Sequence, residues 1–209
     1  MPWIPQMYRT HLTLCFATLS AIILLSPNRG YAAAQKTEAI TLDVATDSLV
    51  WALDGYSLIV GAEHPEFEGF RLHVEVFGLT YPDTFIDLNE ANADEGWERV
   101  IDQAFMLAVD HHPLQEWPGF HYSAGFNVQS STITRKGLTG KTSLSTFELL
   151  LTVGYRFKPV DTWELFVTPY AAIGLPMEIS TPDELGGQVF EEPLIQWVGS
   201  VRVGWTFPL

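Results

Sequence analysis

The sequence predicts an all-β chain closed into an antiparallel transmembrane β-barrel, and eight is the strand count it favours. Three observations carry this. Apolar and polar residues alternate with a period of two, most clearly over Trp163–Met177, a segment roughly three times the ~5–6 residues of an ordinary strand. Beyond the N-terminal segment no apolar run approaches the ~20 residues of a spanning helix, so a membrane-inserted chain would have to be a closed barrel. The connections between alternating segments are by turns short and long, as in a barrel with tight turns on one side of a membrane and loops on the other.

The N-terminus is set apart from that pattern. Arg9 and His11 precede the apolar run Leu12–Leu25, and Ala32-Ala33-Ala34 follow it. These are the charged, apolar and small-residue regions of a secretory signal peptide, with cleavage expected after Ala34. The expected organisation is a signal peptide over residues 1–34 and one barrel domain over residues 35–209. Cys15, the one cysteine, falls in the signal, so the mature chain is expected to have no disulfide and no thiolate metal site. Arg9 and Arg29 leave with it, so the 11 basic and 25 acidic residues become 9 and 25, a formal charge of −16. Such a polyanion lacks the basic face that nucleic-acid binding needs. A hydrophobic content of 47% excludes disorder.

The strands follow in order. The first is the least distinct: Ala39–Leu53 alternates only over Ile40, Leu42 and Val44. Tyr56, Leu58, Val60 and Ala62 oppose Ser57, Ile59, Gly61 and Glu63. Phe70, Leu72, Val74 and Val76 oppose Arg71, His73, Glu75 and Phe77. In Trp97–His111, Ile101, Phe105, Leu107 and Val109 oppose Asp102, Ala104, Met106, Ala108 and Asp110, with Gln103 breaking the pattern. A helix also fits that segment, and its strand neighbours favour a strand. GFHYSAGFNVQS sets Phe120, Tyr122, Ala124, Phe126 and Val128 against His121, Ser123, Gly125, Asn127 and Gln129. Phe147–Phe157, Trp163–Met177 and Ile195–Phe207 complete the series. The short connections are EHPEFEGF, HHPLQEWPGF and FKPVDTWELF. The long ones are YPDTFIDLNEANADEGWE, TITRKGLTGKTS and STPDELGGQVFEEP.

A soluble sandwich also alternates, so the character of each face decides the solvent. The polar face mixes charges with Gly154, Gly174, Gly204, Ala104 and Ala108, small residues that suit a crowded lumen. The apolar face carries aromatics near strand ends, among them Tyr155, Trp163, Trp205 and Phe207, where a membrane barrel has its girdles. The apolar face is therefore expected to meet lipid.

The signal peptide, GYRF, FVTPYAAIG and the terminal VGSVRVGWTFPL resemble small outer-membrane β-barrels of Gram-negative bacteria. The nearest type is the eight-stranded barrel of the OmpA transmembrane-domain and OmpW-like superfamily, matched in pattern from about Ser48 to the end. The resemblance implies residence in the cell outer membrane and contact with its lipid and lipopolysaccharide. It also implies insertion by the barrel assembly machinery, which reads the alternating C-terminal residues Val201, Val203, Trp205, Phe207 and Leu209. Pro208-Leu209 stands in place of the usual terminal aromatic.

Candidate chemistry is sparse. Some barrels of this kind act on lipopolysaccharide through a His and a Ser two apart on a strand, and His121-Tyr122-Ser123 resembles that spacing. A hydroxyl needs its imidazole base, and the base an orienting carboxylate, yet VQSSTITRKG supplies none and both residues face the lumen. Two polar lumen fillers is the expected reading. In the acidic loop Tyr81–Glu98, Asp87, Asn89 and Glu98 weakly match a Ca²⁺ loop, but Ala91 and Asn92 stand where a ligand and the turn glycine belong. His111-His112 point to opposite faces of a strand and cannot share a metal. Arg135, Lys136 and Lys141 form the one basic loop, read as solvated or facing lipopolysaccharide phosphates.

The lumen charges say more. Arg71, Arg156 and Arg202 share the predicted interior with Glu63, Glu75, Asp102, Asp110, Glu148 and Glu164. An unpaired interior charge is costly, so these are expected to pair into a network that fills the lumen. The expectation is a monomeric barrel without catalytic centre, metal or cofactor and with no nucleic-acid partner, acting structurally or by surface interaction. A small-solute channel is the alternative, and a lipopolysaccharide-modifying enzyme the third reading.

Overall fold

The computed structural model describes residues 40–113, 119–160 and 162–209. The signal-peptide expectation lies outside them, as does most of the turn after His112. The described chain forms eight strands: β1 (Thr41–Asp47), β2 (Tyr56–Glu63), β3 (Phe70–Tyr81), β4 (Trp97–His111), β5 (Gly119–Arg135), β6 (Thr142–Arg156), β7 (Leu165–Ser180) and β8 (Gln196–Pro208). Each pairs antiparallel with the next, and β8 returns to β1 to close the barrel. Two short helices, α1 (Ser48–Ala52) and α2 (Asp83–Ile86), follow β1 and β3. Trp97–His111 is a strand, as its neighbours implied.

The turns after β2 and β6 and the described chain ends lie at one end, where the Leu209 amide bonds the Ile40 carbonyl at 2.9 Å. The connections after β1, β3, β5 and β7 gather at the other, the loop end. The loop after β5 is shorter than the sequence suggested, because β5 runs on to Arg135 and β6 begins at Thr142.

The side chains are distributed inside out relative to a water-soluble barrel. Leu151 is 62% exposed, Leu58 53% and Val153 51%, while Arg156 is 1% and Asp110 2% exposed. An exterior of this kind is stable only against hydrocarbon. At the turn end Phe70, Phe120, Tyr122, Tyr155, Trp205 and Phe207 stand outward in a belt. There Phe70 stacks on His111 at 4.5 Å, and His111 Nδ1 hydrogen-bonds the Tyr122 hydroxyl at 2.6 Å. Trp51, Tyr56, Phe85 and Trp197 are exposed aromatics at the loop end.

One expectation about facing is corrected. The pairing of β4 with β5 slips between Ile101 and Gln103, so a bulge inserts one extra residue and reverses the facing beyond it. Ile101 is 5% exposed inside the barrel. Asp102 points out, where its Oδ2 accepts a bond from the Thr132 hydroxyl at 2.8 Å. The break in alternation at Gln103 was the trace of this bulge.

The wall is uneven in height. β1 has 7 residues and β2 has 8, against 12 to 17 in the other strands. In urea titrations in lipid vesicles, Leu151→Arg should lose about 2–4 kcal/mol of stability, as a charge set against hydrocarbon does. Asp102→Leu should lose little, because its carboxylate holds only Thr132. The opposite ranking would place the register one residue off.

Candidate functional site: a layered lumen

The turn half of the lumen is filled. Arg156 on β6 reaches across to Asp43 on β1, donating from Nη1 to Oδ2 at 2.6 Å and from Nη2 to Oδ1 at 3.0 Å. Arg156 Nη2 also donates to the Thr206 hydroxyl at 2.6 Å, which donates in turn to Asp43 Oδ1 at 2.5 Å. The guanidinium carbon lies over the Phe166 ring, 3.4 Å from its centroid, a cation–π contact that a desolvated lumen strengthens. Arg71 on β3 shares Asp43, with Nη2 at 2.7 Å from Oδ2, and its Nη1 faces Asp110 at 3.6 Å. Asp110 ends the chain at His73 Nδ1, 3.2 Å away. Charges therefore alternate in sign across the barrel, as buried ions must if each is to be compensated.

Glycine positions make room for these groups. A Cβ on Gly61 would fall 2.2 Å from Arg71 Nη2, and one on Gly204 would fall 2.4 Å from the Phe166 ring. The cavity left in this layer is about 10 Å³, near the ~10–15 Å³ that a single water needs.

A second layer lies above. Arg202 Nη2 faces Glu75 Oε2 at 3.6 Å, and its guanidinium covers the Tyr170 ring at 4.5 Å. The Tyr170 hydroxyl donates to Asp47 Oδ2 at 2.6 Å, and Ser57 donates to Glu75 Oε1 at 2.9 Å. Asp47 also caps α1, accepting from the Leu49 amide at 2.9 Å, the usual use of an aspartate at a helix start. Ser200 Oγ bonds the same carboxylate.

Above this layer the lumen opens into a cavity of about 130 Å³. Its walls include Phe77, Leu79, Tyr81, Met106, Leu150 and Ala172, and its floor includes Glu75, Asn127, Glu148 and Arg202. Side-chain filling therefore describes the turn half of the barrel and not the loop half.

The loop end is roofed. Ile86, Trp97, Ile133, Leu144 and Phe190 form a buried apolar cluster that draws on α2, three strands and the β7–β8 loop. Arg99 donates from Nη1 to both oxygens of Glu192, at 2.9 and 2.8 Å. Burial pushes the Glu192 carboxyl up, and Arg99 pulls it part of the way back. The Asn92 side chain donates to the Glu191 carbonyl at 2.7 Å and accepts from the Glu191 amide at 3.0 Å. The β3–β4 and β7–β8 loops are thus tied together over the mouth.

Of the nine charges expected in one network, Arg71, Asp110, Arg156, Arg202 and Glu75 lie in the two ionic layers, and Glu63 ends β2 across from Arg71 in the β2–β3 register. Three do not. Asp102 faces outward. Glu164 sits in the β6–β7 turn and accepts from Lys158 Nζ at 2.7 Å. Glu148 is 4% exposed inside the barrel, yet its one hydrogen bond among the described residues comes from Asn127 Nδ2 at 2.6 Å, and it forms no contact ion pair there. Asp43, Asp47 and His73 are the network members that the sequence reading did not single out. The parity of Asp43 and Asp47 opposite Leu42 and Val44 was the available signal.

The remaining motifs resolve differently. Asp110 lies directly across from Ser123 in the β4–β5 register, but its carboxylate binds His73 and Arg71. In the acidic loop, Asn89 and Asn92 turn their amides to Glu191 and Ala91. No cluster of three or more His, Cys, Asp or Glu that could hold a metal occurs among the described residues. Arg135 is bonded to Glu95 and stands over Trp97, and Lys136 is 2.5 Å from Asp83.

Asp43 compensates two arginines, so its loss should exceed that of either partner. Arg156→Ala should cost about 3 kcal/mol, the low end of the ~3–5 kcal/mol for breaking a buried pair, since Arg71 still faces Asp43. Asp43→Ala should cost more, and Asp43→Leu combined with Arg156→Met should recover part of the loss. Urea midpoints in vesicles check the order.

Comparison with known proteins finds no matching family model and no matching curated sequence. Among solved structures, the fold is similar to a major outer membrane protein from Thermus thermophilus, at 14% identity and a TM-score of 0.48, over 81% of this chain and 100% of that one. It is also similar to Neisserial surface protein A, at 11% identity and a TM-score of 0.36, over 81% of this chain and 96% of that one.

Proposed function

We propose that this chain is an outer-membrane barrel, sealed along its axis, that acts structurally or by surface interaction at its loop end. The observation that carries the reading is the turn-half layer, where the Arg156–Asp43 pair, Arg71 and Phe166 leave a cavity of only about 10 Å³. An eight-stranded barrel is about wide enough for side chains alone. The bonded loops at the mouth support an interaction role, because they form an ordered surface. Asp87, Glu90, Asp94, Asp183, Glu184 and Glu191 are exposed on it, so the partner it fits is basic. Of the basic loop only Lys141 lacks a carboxylate partner among the described residues, which weakens that loop as a phosphate site. The inverted exterior supports residence in lipid as a monomer inserted by the assembly machinery, and the Asp110–His73 bond speaks against His121 and Ser123 as a catalytic pair.

Fractionation should recover the mature chain, starting near Gln35, in the outer membrane; a freely soluble periplasmic product would overturn the reading. In planar bilayers the wild-type protein should show no steady conductance, while Arg156→Ala should introduce leak. Large, stable single-channel steps from the wild type would establish a channel instead.

A further inference from the structure

Three histidines are packed into the turn half of the lumen. His73 on β3, His121 on β5 and His112, one residue beyond β4, are 2%, 3% and 3% exposed. All three line the same small space as Arg71, Arg156, Arg202 and Asp110. Their surroundings differ. His73 Nδ1 is 3.2 Å from Asp110 Oδ2, so a proton taken up by that ring meets a carboxylate. The His121 ring faces another imidazole instead, with its centroid 5.2 Å from that of His112 and the two planes 30° apart. His121 Nδ1 has no hydrogen-bond partner among the described residues. Buried polar groups are nearly always bonded, and an unbonded imidazole nitrogen is an open position for a proton.

The charges around the pair balance only while both rings are neutral. Arg71 stands on β3, Asp110 on β4, Arg156 on β6 and Arg202 on β8. Asp43 on β1 lies behind the arginines, and Glu63 ends β2 across from Arg71. β5 and β7 bring the neutral Ser123 and Thr168, and in the β6–β7 turn Lys158 and Glu164 pair with each other. The carboxylates are engaged: Asp43 meets Arg71 and Arg156, Asp110 meets His73 and Arg71, and Glu75 in the next layer meets Arg202. Protons on His112 and His121 would set two more positive charges side by side among three guanidiniums, where low dielectric makes repulsion strong. A cavity of about 10 Å³ leaves scant room for water to screen them. His121 has little room to turn aside, since a Cβ on Gly154 would fall 2.6 Å from its Cε1. His112 lies past the last residue of β4, at the rim of the turn end, where leaving the layer brings it to water.

We propose that the His112–His121 pair is a proton-operated catch on the turn-half seal. Neutral, the two rings complete the packed layer. Protonated, they repel each other and the arginines, and the layer opens toward the turn end. The seal holds above the ordinary imidazole value of ~6.5 and is lost as pH falls below it. The proposal rests on the sealed-barrel reading above. Failure of that reading would appear as large, stable steps already present at neutral pH, whereas failure of the catch concerns only the response to acid.

Planar-bilayer recordings at pH ~7.5 and pH ~4.5, either side of the ordinary imidazole value, test it. Mean current through the wild type should rise at least tenfold on acidification and fall back on neutralisation. His112→Gln combined with His121→Gln should hold the change to about twofold or less, although every carboxylate keeps its own response to acid. His111→Gln, which alters the outward histidine of the aromatic belt and leaves the lumen untouched, should retain the full rise. Gel mobility before and after heating reports that each variant is folded. Should the double variant fail to fold, His112→Gln alone, at the rim, should still remove most of the rise. A wild type equally silent at both pH values, a rise that survives in the lumen histidine variants, or its loss in His111→Gln would overturn the proposal.

Discussion

The two hydrogen bonds from Arg156 to Asp43 join β6 to β1 across the full width of the lumen, between residues 113 apart in sequence. A guanidinium buried to 1% exposure carries a desolvation penalty of several kcal/mol unless a carboxylate meets it in good geometry. The surrounding turn half is arranged to satisfy that demand. Phe166 supplies a ring face, Gly204 leaves the space the ring occupies, and Thr206 bridges the two ions. Arg71 would leave a second positive charge unmet, and Asp110, which His73 hydrogen-bonds, completes the alternation. The same pair fixes the register of the short first strand. A slip of one residue would carry Asp43 into lipid and Leu42 or Val44 into the ionic layer.

That dependence explains what could be read in the chain and what could not. The barrel and its strand order were legible because seven segments hold a period of two over lengths that a membrane requires. β1 was indistinct because it has only 7 residues, and its two lumen aspartates look like ordinary polar loop residues until a partner is known. Asp102 was misplaced because a bulge is a property of two paired strands, and one strand shows only a broken alternation at Gln103. Glu164 was assigned to the lumen by extending the parity of β7 past its true start at Leu165, into a turn where Lys158 is the nearer partner. The Asn92–Glu191 tie across the mouth joins two polar loops 99 residues apart, and no local pattern announces such a contact.

The lumen charges divide into layers because the side chains divide by size. Arginine, histidine and phenylalanine crowd the turn half around Arg156, where glycines yield space to them. Thr152, Ala172 and Gly174 replace such bulk in the loop half, where the cavity lies. A sum over all interior charges suggests one self-compensating network, but compensation operates only within contact distance. Asp43 and Asp110 suffice for Arg71 and Arg156, and Glu75 holds Arg202. Glu148, one layer higher on β6, is left out of both arrangements. The surplus acid is a consequence of layering and is invisible in the total.

A low wall is difficult to maintain in a membrane, since unpaired backbone groups of β3 and β8 would otherwise face hydrocarbon. The structure offsets this in two ways. α1 and its turn supply partners to Ser200 and Thr80, and the exposed Trp51 and Trp197 place the gap at the interface, where water can meet what remains. Irregular backbone at membrane depth is tolerated where it borders a cavity, and this gap borders the loop-half chamber. The chamber lies between the filled turn half and the loops that Asn92, Arg99 and Glu192 tie together over the mouth. The shortness of β1 and β2, which first reads as a weak strand signal, is what leaves the place that α1 and its turn take in the wall.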